Sequence, residues 1–194
     1  MLGLSSGITS VSAPSSRVLL NTYTSDFTSD ADGWVDYAGN DASNTFTANQ
    51  SIGGQDNCLK VIVETDETGI WGFSKSGAGG VFTADFSPGD YVHVTFKIYL
   101  DTTGGAWGTA GAGANFPIYM NMGGGNYDNI SMAQNTWVDW DSQALPVGNL
   151  DADIAGTSGG NVNIYSTSSQ RPQEHAAVFI KNIVIKQYRS ALFT

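Results

Sequence analysis

The hydrophobic positions along the chain recur with a period of two. In Asp90–Leu100, DYVHVTFKIYL, the residues Val92, Val94, Phe96, Ile98 and Leu100 fall on one side and Tyr91, His93, Thr95, Lys97 and Tyr99 on the other. Successive side chains of an extended chain point to opposite sides, so this alternation predicts a strand with one buried face. Ala176–Tyr188, AAVFIKNIVIKQY, is dense in β-branched residues and predicts a central strand. Cys58–Glu64 places Leu59, Val61 and Val63 on one face. Shorter strands are predicted at Val18–Tyr23, Gly33–Tyr37, Asn44–Ala48, Ile70–Ser74, Val81–Phe86, Phe116–Asn121, Thr136–Asp141 and Val162–Ser166. Turn clusters such as SPGD at 87–90 and GGQDN at 53–57 separate them. No segment keeps a helical period over ten residues. Many short strands joined by Gly-rich turns predict an all-β sandwich or barrel.

Three segments depart from the strand pattern. Residues 1–17, MLGLSSGITSVSAPSSR, carry Leu2, Leu4, Ile8 and Val11 too sparsely for an amphipathic helix. They read as a flexible leader or, the favoured reading, an extended N-terminal arm that docks on the domain or on a neighbouring chain, ahead of one domain over residues 18–194. No basic residue precedes Arg17, so the charged start of a secretory signal is not expected. Thr102–Ala114 and Ser142–Asn161 read as two long loops, of the kind that carries function or mobility.

Composition alters the picture in one respect. Charged residues are 13% of the 194, against about 25% in an ordinary soluble domain. Ser, Thr, Asn, Gly and aromatic rings must therefore cover the surface, which suits sugars or protein neighbours. With 8 Lys+Arg against 18 Asp+Glu the net charge is −10. That excludes nucleic acid as the expected partner, because its binding draws on positive charge. No apolar run approaches the roughly 18 residues of a membrane-spanning helix, and no membrane partner is expected. The single Cys58 excludes an internal disulfide and a thiolate zinc cage. Lys and Arg vanish between Ile98 and Gln170, while Asp101, Asp128, Asp139, Asp141, Asp151 and Asp153 remain.

Candidate chemistry is thin. Asp139 and Asp141 sit two apart on a predicted strand, hence about 7 Å apart on one face with Trp137. Paired carboxylates at that spacing could serve glycoside hydrolysis, but a solvated strand face explains them more simply. His93 and His175 form no triad or metal pattern. Asp151-Ala-Asp153 lacks the Gly and Glu of a calcium loop, and the glycines at 104–113 lack the Lys-Ser/Thr of a phosphate loop. Neither catalytic residues nor a metal or cofactor is expected. The aromatic residues are more informative, because rings stack on the apolar faces of pyranoses or anchor protein contacts. Trp107 stands alone in a Gly-rich loop and is the leading contact residue. Trp71, Tyr127 and Trp140 follow, with Asp139 as a hydroxyl-bonding carboxylate; each of the three rings could equally face the core.

The stretch Asp26–Trp34, DFTSDADGW, resembles the opening motif of carbohydrate-binding modules with a β-jelly-roll fold. Cys58–Val63 (CLKVIV), Trp71–Lys75 (WGFSK), Tyr91–Leu100, Asn135–Val138 (NTWV) and Val178–Ile185 (VFIKNIVI) resemble later strands of that family, in the family's order, over residues 26–187. The resemblance implies a β-sandwich of jelly-roll type, glycan as a partner, and core positions for Trp34 and Trp137. It also implies a structural calcium held partly by two carboxylates, whose positions here carry Thr28 and Lys181. With an ammonium in place of one carboxylate, that calcium is not expected. The absent signal pattern, the Ser-rich arm and the low charge favour a non-catalytic structural protein of an assembly. The expected form is a bacteriophage virion decoration protein, located on the virion, with capsid or tail proteins or like copies as partners. A free, extracellular carbohydrate-binding module is the alternative.

Overall fold

The computed structural model describes residues 17–37, 44–64, 71–77, 80–83, 90–105, 119–121, 133–141, 145–146, 161–166 and 175–190. In chain order the strands are β1 (Arg17–Thr24), β2 (Val35–Asp36), β3 (Asn44–Ile52), β4 (Gln55–Val63), β5 (Trp71–Ser76), β6 (Tyr91–Asp101), β7 (Tyr119–Asn121), β8 (Trp137–Asp141), β9 (Leu145–Pro146), β10 (Asn161–Ser166) and β11 (Ala177–Ser190). A 7-stranded sheet runs β3-β4-β11-β6-β8, with β1 added on β11 and β9 on β6. A 4-stranded sheet runs β2-β5-β10-β7. All strand pairings are antiparallel. The fold is a β-sandwich of jelly-roll type.

The alternation read from the sequence decides which side chains lie between the sheets. Val92, Val94, Phe96, Ile98 and Leu100 of β6 meet Leu59, Val61 and Val63 of β4 and Val178, Ile180, Ile183 and Ile185 of β11. Trp71 and Phe73 of β5 with Val162 and Ile164 of β10 close the core from the smaller sheet. Burying each such aliphatic side chain contributes about 1.5–3 kcal/mol. β11 is the central strand, paired with β1, β4 and β6. Its ladder shifts register between Lys181 and Val184, where Asn182 has φ 53°. One extra residue there lets Ile180 and Ile183, three apart, both face the core.

Three local details differ from the sequence reading. The turn expected over 53–57 is only Gly53-Gly54, both at positive φ, 55° and 76°. Two such glycines give the tight hairpin twist that joins strands directly, so β4 resumes at Gln55. β9 lies inside the segment read as one long loop, where Leu145 and Pro146 pair with Val92 and Tyr91. Residues 81–83 of the expected strand Val81–Phe86 form none, although Val81 and Phe82 are buried. Arg17 opens β1, opposite Ser190; the remainder of the expected arm, with Leu2, Leu4, Ile8 and Val11, lies outside the described residues.

The segment between β1 and β2 carries a buried polar cluster. Trp34 Nε1 donates to Ser25 Oγ at 2.9 Å, Ser25 Oγ donates to the Tyr23 hydroxyl at 3.1 Å, and that hydroxyl donates to Asp32. Lys75 is buried, donates to the Asp32 carbonyl and lies 3.7 Å from its carboxylate. A buried ammonium is tolerable only with such partners. Burial, and then the bond to Asp32, hold the Tyr23 phenol well above its ordinary pKa.

Candidate functional site

The side of the smaller sheet that faces away from the core brings together residues from β2, β5 and β10. In β5, Trp71 and Phe73 point inward, so Gly72, Ser74 and Ser76 point outward. In β10, Val162 and Ile164 point inward and Asn161, Asn163 and Tyr165 outward. The register pairs Gly72 with Tyr165, Ser74 with Asn163, and Ser76 with Asn161. On the other edge of β5, Val35 pairs with Ser74, and the Tyr37 amide donates to the Gly72 carbonyl at 3.1 Å. The ladder continues on the far side of β10, with Tyr119 opposite Tyr165 and Asn121 opposite Asn163.

Two rows result across the strands. The first is aromatic. Tyr37 and Tyr165 lean over Gly72 from either side and stack, with ring centroids 5.2 Å apart and 7° between planes. Gly72 is required there: a Cβ would stand 2.4 Å from the Tyr165 Cβ and 2.6 Å from the Ile164 carbonyl oxygen. The second row is polar and neutral, with Ser74 and Asn163 beside Val35. Ser74, Asn163 and Tyr165 are buried although they face away from the core, whereas Val35, Ser76 and Asn161 are exposed. The Ser74 hydroxyl donates to the Asp36 carbonyl at 3.3 Å. Asn163 Oδ1 is buried without a hydrogen-bond partner. Among the described residues of this face there is no charged side chain.

The outward side of the larger sheet is built differently. Cys58, Ala177 and Phe179 are buried there, under Ile52, Ile62, Tyr99 and Trp137. Tyr99 lies 5.5 Å from Trp137 and 6.3 Å from Phe179 between ring centroids. The Trp137 indole N–H donates to the Ile52 carbonyl at 3.1 Å, fixing the β3–β4 hairpin over the ring. Burial pushes the Cys58 thiol above its ordinary pKa, against the lowering influence of Lys181. Asp139 and Asp141 share this face, as the two-residue spacing predicts: Asp139 pairs with the Lys97 ammonium at 2.7 Å, and Asp141 lies 2.6 Å from the His93 Nε2. A shallow groove of about 310 Å³ lies along them, lined also by Thr95, Asn182 and Val184.

The sequence-derived contact residues separate accordingly. Trp71 and Trp140 are each 1% exposed and belong to the sandwich core, so neither offers a ring to solvent. Trp71 donates to Asn44 at 2.8 Å, and Trp140 stacks on Phe96 at 4.7 Å. Their positions alternate with outward residues, Gly72 beside Trp71 and Asp139 and Asp141 beside Trp140, which settles their direction. Trp34 is buried as expected, but Trp137 is half-buried on the outer face rather than between the sheets. Asp139 is exposed and paired with Lys97. Trp107 and Tyr127 lie outside the described residues. Tyr37, Ser74, Asn163 and Tyr165 were not singled out from sequence. The available signal was polar residues alternating with core residues in WGFSKS and NVNIYS.

The calcium implied by the family resemblance does not fit this chain. Lys181 lies directly across β11–β6 from Lys97, and Thr28 supplies no carboxylate. Hard cations need anionic oxygens that these positions lack. Among the described residues no group of three or more His, Cys, Asp or Glu is placed to hold a metal.

No family model and no curated protein sequence matches the chain. Solved structures do. The CBM22-1 xylan-binding domain of Paenibacillus barcinonensis Xyn10C superposes with a TM-score of 0.50 at 16% identity, covering 92% of this chain and 100% of that domain. An arabinose-bound α-L-arabinofuranosidase, MgGH51, gives 0.51 at 11% identity, covering 80% of this chain but 23% of the enzyme. The family 11 carbohydrate-binding module of Clostridium thermocellum, solved with a β-1,3-1,4-mixed-linked tetrasaccharide, gives 0.47 at 13% identity over 84% of this chain and 94% of that one. The chain has the jelly-roll fold of carbohydrate-binding modules.

Proposed function

We propose that this chain is a non-catalytic carbohydrate-binding domain that holds a glycan on the outer face of the smaller sheet. The carrying observation is the parallel Tyr37–Tyr165 pair over Gly72, set beside a neutral Ser/Asn row with no charge of its own. Aromatic rings meet the apolar faces of a sugar, and amide and hydroxyl groups meet its hydroxyls. A xylan-binding domain among the similar structures supports the choice of ligand class. The test is calorimetric titration of the full chain against xylo-, arabino-, cello-, manno- and mixed-linkage gluco-oligosaccharides. At least one should bind, and Tyr37→Ala should weaken it about tenfold, the equivalent of about 1.4 kcal/mol. Binding by none of them, or binding indifferent to Tyr37→Ala, removes the proposal.

Display of this domain on a larger assembly, with capsid or tail proteins as partners and a virion location, is the second reading. It is favoured by the 13% charged composition and the Ser-rich first 17 residues. Deletion of residues 1–17 should release the protein from the particle that carries it; a truncated chain that still sediments with the particle removes this reading.

A further inference from the structure

We infer that Asn163 sets the specificity of this outer face by accepting a hydrogen bond from a sugar hydroxyl that the ligand itself supplies. The inference rests on the carbohydrate reading above and goes further by naming the atom that selects. Asn163 is 8% exposed, and its Oδ1 is buried with no partner. Native folds leave very few buried acceptors unpaired, and each such atom destabilises the state that holds it. The obvious internal donor is already committed. Ser74 stands directly across the ladder from Asn163, but its hydroxyl proton goes to the Asp36 carbonyl. The sequence neighbours Val162 and Ile164 face the core and are apolar. The next outward residue along β10 is Tyr165, whose ring stacks on Tyr37, about 7 Å further along the strand. A sugar lying against the tyrosine pair would carry its ring hydroxyls toward this acceptor. An unpaired acceptor in the free protein is then completed on binding, and a ligand lacking the matching hydroxyl leaves it unpaired. Such mismatches discriminate far better than the loss of an apolar contact.

The test combines one protein change with one ligand change, in the full chain. Asn163→Leu replaces the amide with an apolar group of similar size. It should leave the thermal midpoint unchanged or higher, and weaken the best-bound oligosaccharide by about 10- to 100-fold. Among monodeoxy analogues of that oligosaccharide, one should weaken wild-type binding by a similar factor and cause no further loss in Asn163→Leu. If the Leu variant does not fold, Asn163→Ala carries the same expectation for affinity. Affinity within twofold of wild type, or a lowered midpoint with unchanged affinity, overturns the role of Asn163. If Tyr37→Ala loses binding while Asn163→Leu keeps it, the Asn163 assignment falls and the carbohydrate reading stands. If no oligosaccharide binds the wild-type chain, both fall.

Discussion

The two outward faces of this sandwich are made by the same alternation, yet they differ in what their polar atoms do. On the larger sheet Lys97 meets Asp139, His93 meets Asp141, and the Trp137 indole is held by the Ile52 carbonyl. The rings of Tyr99, Trp137 and Phe179 close over Cys58 and form a second, smaller core. On the smaller sheet the rings form a parallel pair over Gly72, and the buried Asn163 acceptor has nothing to accept. Both faces are rich in aromatic residues, so aromatic content alone does not mark a binding surface. What separates them is satisfaction. Asp139, Asp141 and the Trp137 indole on the larger face each have an internal partner, whereas Asn163 Oδ1 on the smaller face has none; the outward direction of Asn163 distinguishes it from the Trp140 indole N–H, which also lacks a partner but lies in the core.

The sharpest way to break this contrast is to truncate one ring on each face. Phe179 is 4% exposed beneath Tyr99. Phe179→Ala should cost about 3–5 kcal/mol in urea unfolding, through lost burial and the cavity left behind. Its effect on oligosaccharide affinity in the folded protein should be small. Tyr37→Ala, at a half-buried ring, should cost only about 0.5–1.5 kcal/mol of stability while removing most of the binding. Equal stability losses would make both faces structural.

Glycines give a second, smaller contrast. An Ala Cβ at Gly72 would collide with backbone, the Ile164 carbonyl oxygen at 2.6 Å, and with the root of Tyr165. Gly72→Ala should therefore destabilise by about 1–3 kcal/mol and also lower affinity, because the tyrosine pair must move. At Gly53 the added Cβ would meet side-chain atoms, Trp137 Nε1 at 2.9 Å and Tyr99 Cε2 at 3.1 Å, at φ 55°. Gly53→Ala should cost about 1–2 kcal/mol, mainly backbone strain, with affinity unchanged. If Gly53→Ala lowers affinity and Gly72→Ala does not, the binding face is the other one.

A third measurement asks how well the larger face is sealed. Burial raises the Cys58 thiol pKa in the folded state above its unfolded value. The neutral thiol thus adds stability below the unfolded pKa, and that contribution fades as pH rises through the folded value. Tyr23 follows the same sign, raised by burial and by its bond to Asp32. Stability should hold across neutral pH and decline in alkali, and Cys58 should react with an aromatic disulfide reagent only as fast as the protein opens. Rapid thiol labelling at pH 7 in the folded protein would show that the ring cluster is open.

Much of the fold is legible in the sequence because it depends on period and propensity. β6 and β11 announce themselves through alternation and β-branching, and the inward sets of β4, β6 and β11 follow directly. The turn at 53–57 is misjudged by three residues because Gln55-Asp56-Asn57 are polar, turn-like residues that belong to β4: Gln55 pairs with Ile52 across a two-glycine hairpin, and Asp56-Asn57 fall at a register shift with Asn57 at φ 56°. The candidate site is less legible. Trp71 and Trp140 draw attention as large rings in a charge-poor chain, but direction in a strand depends on register, and both point inward. Tyr37 and Tyr165 are 128 residues apart in sequence (165 − 37), and only the pairing of β2, β5 and β10 brings them into contact. The want of a partner at Asn163 is a property of its neighbours in space, which no local pattern encodes.

The smallest expected effect bears on the carboxylates that the sequence offers as an acid–base pair. Asp139 is 78% exposed and pairs with Lys97, itself 36% exposed, at 2.7 Å. Solvent screens such a pair, so Asp139→Asn should change stability by less than about 1 kcal/mol. Its carboxylate already accepts from an ammonium and stands on the larger sheet, away from the Tyr37–Tyr165 pair, so oligosaccharide affinity should stay within about twofold. The groove beside it, lined by Thr95, Lys97, Asp141 and Asn182, supplies the contrary outcome. If Asp139→Asn abolished binding while Tyr37→Ala did not, the ligand would lie along β6 and β8, Asp139 and its neighbours would be its contacts, and satisfaction in the free protein would no longer distinguish structure from site.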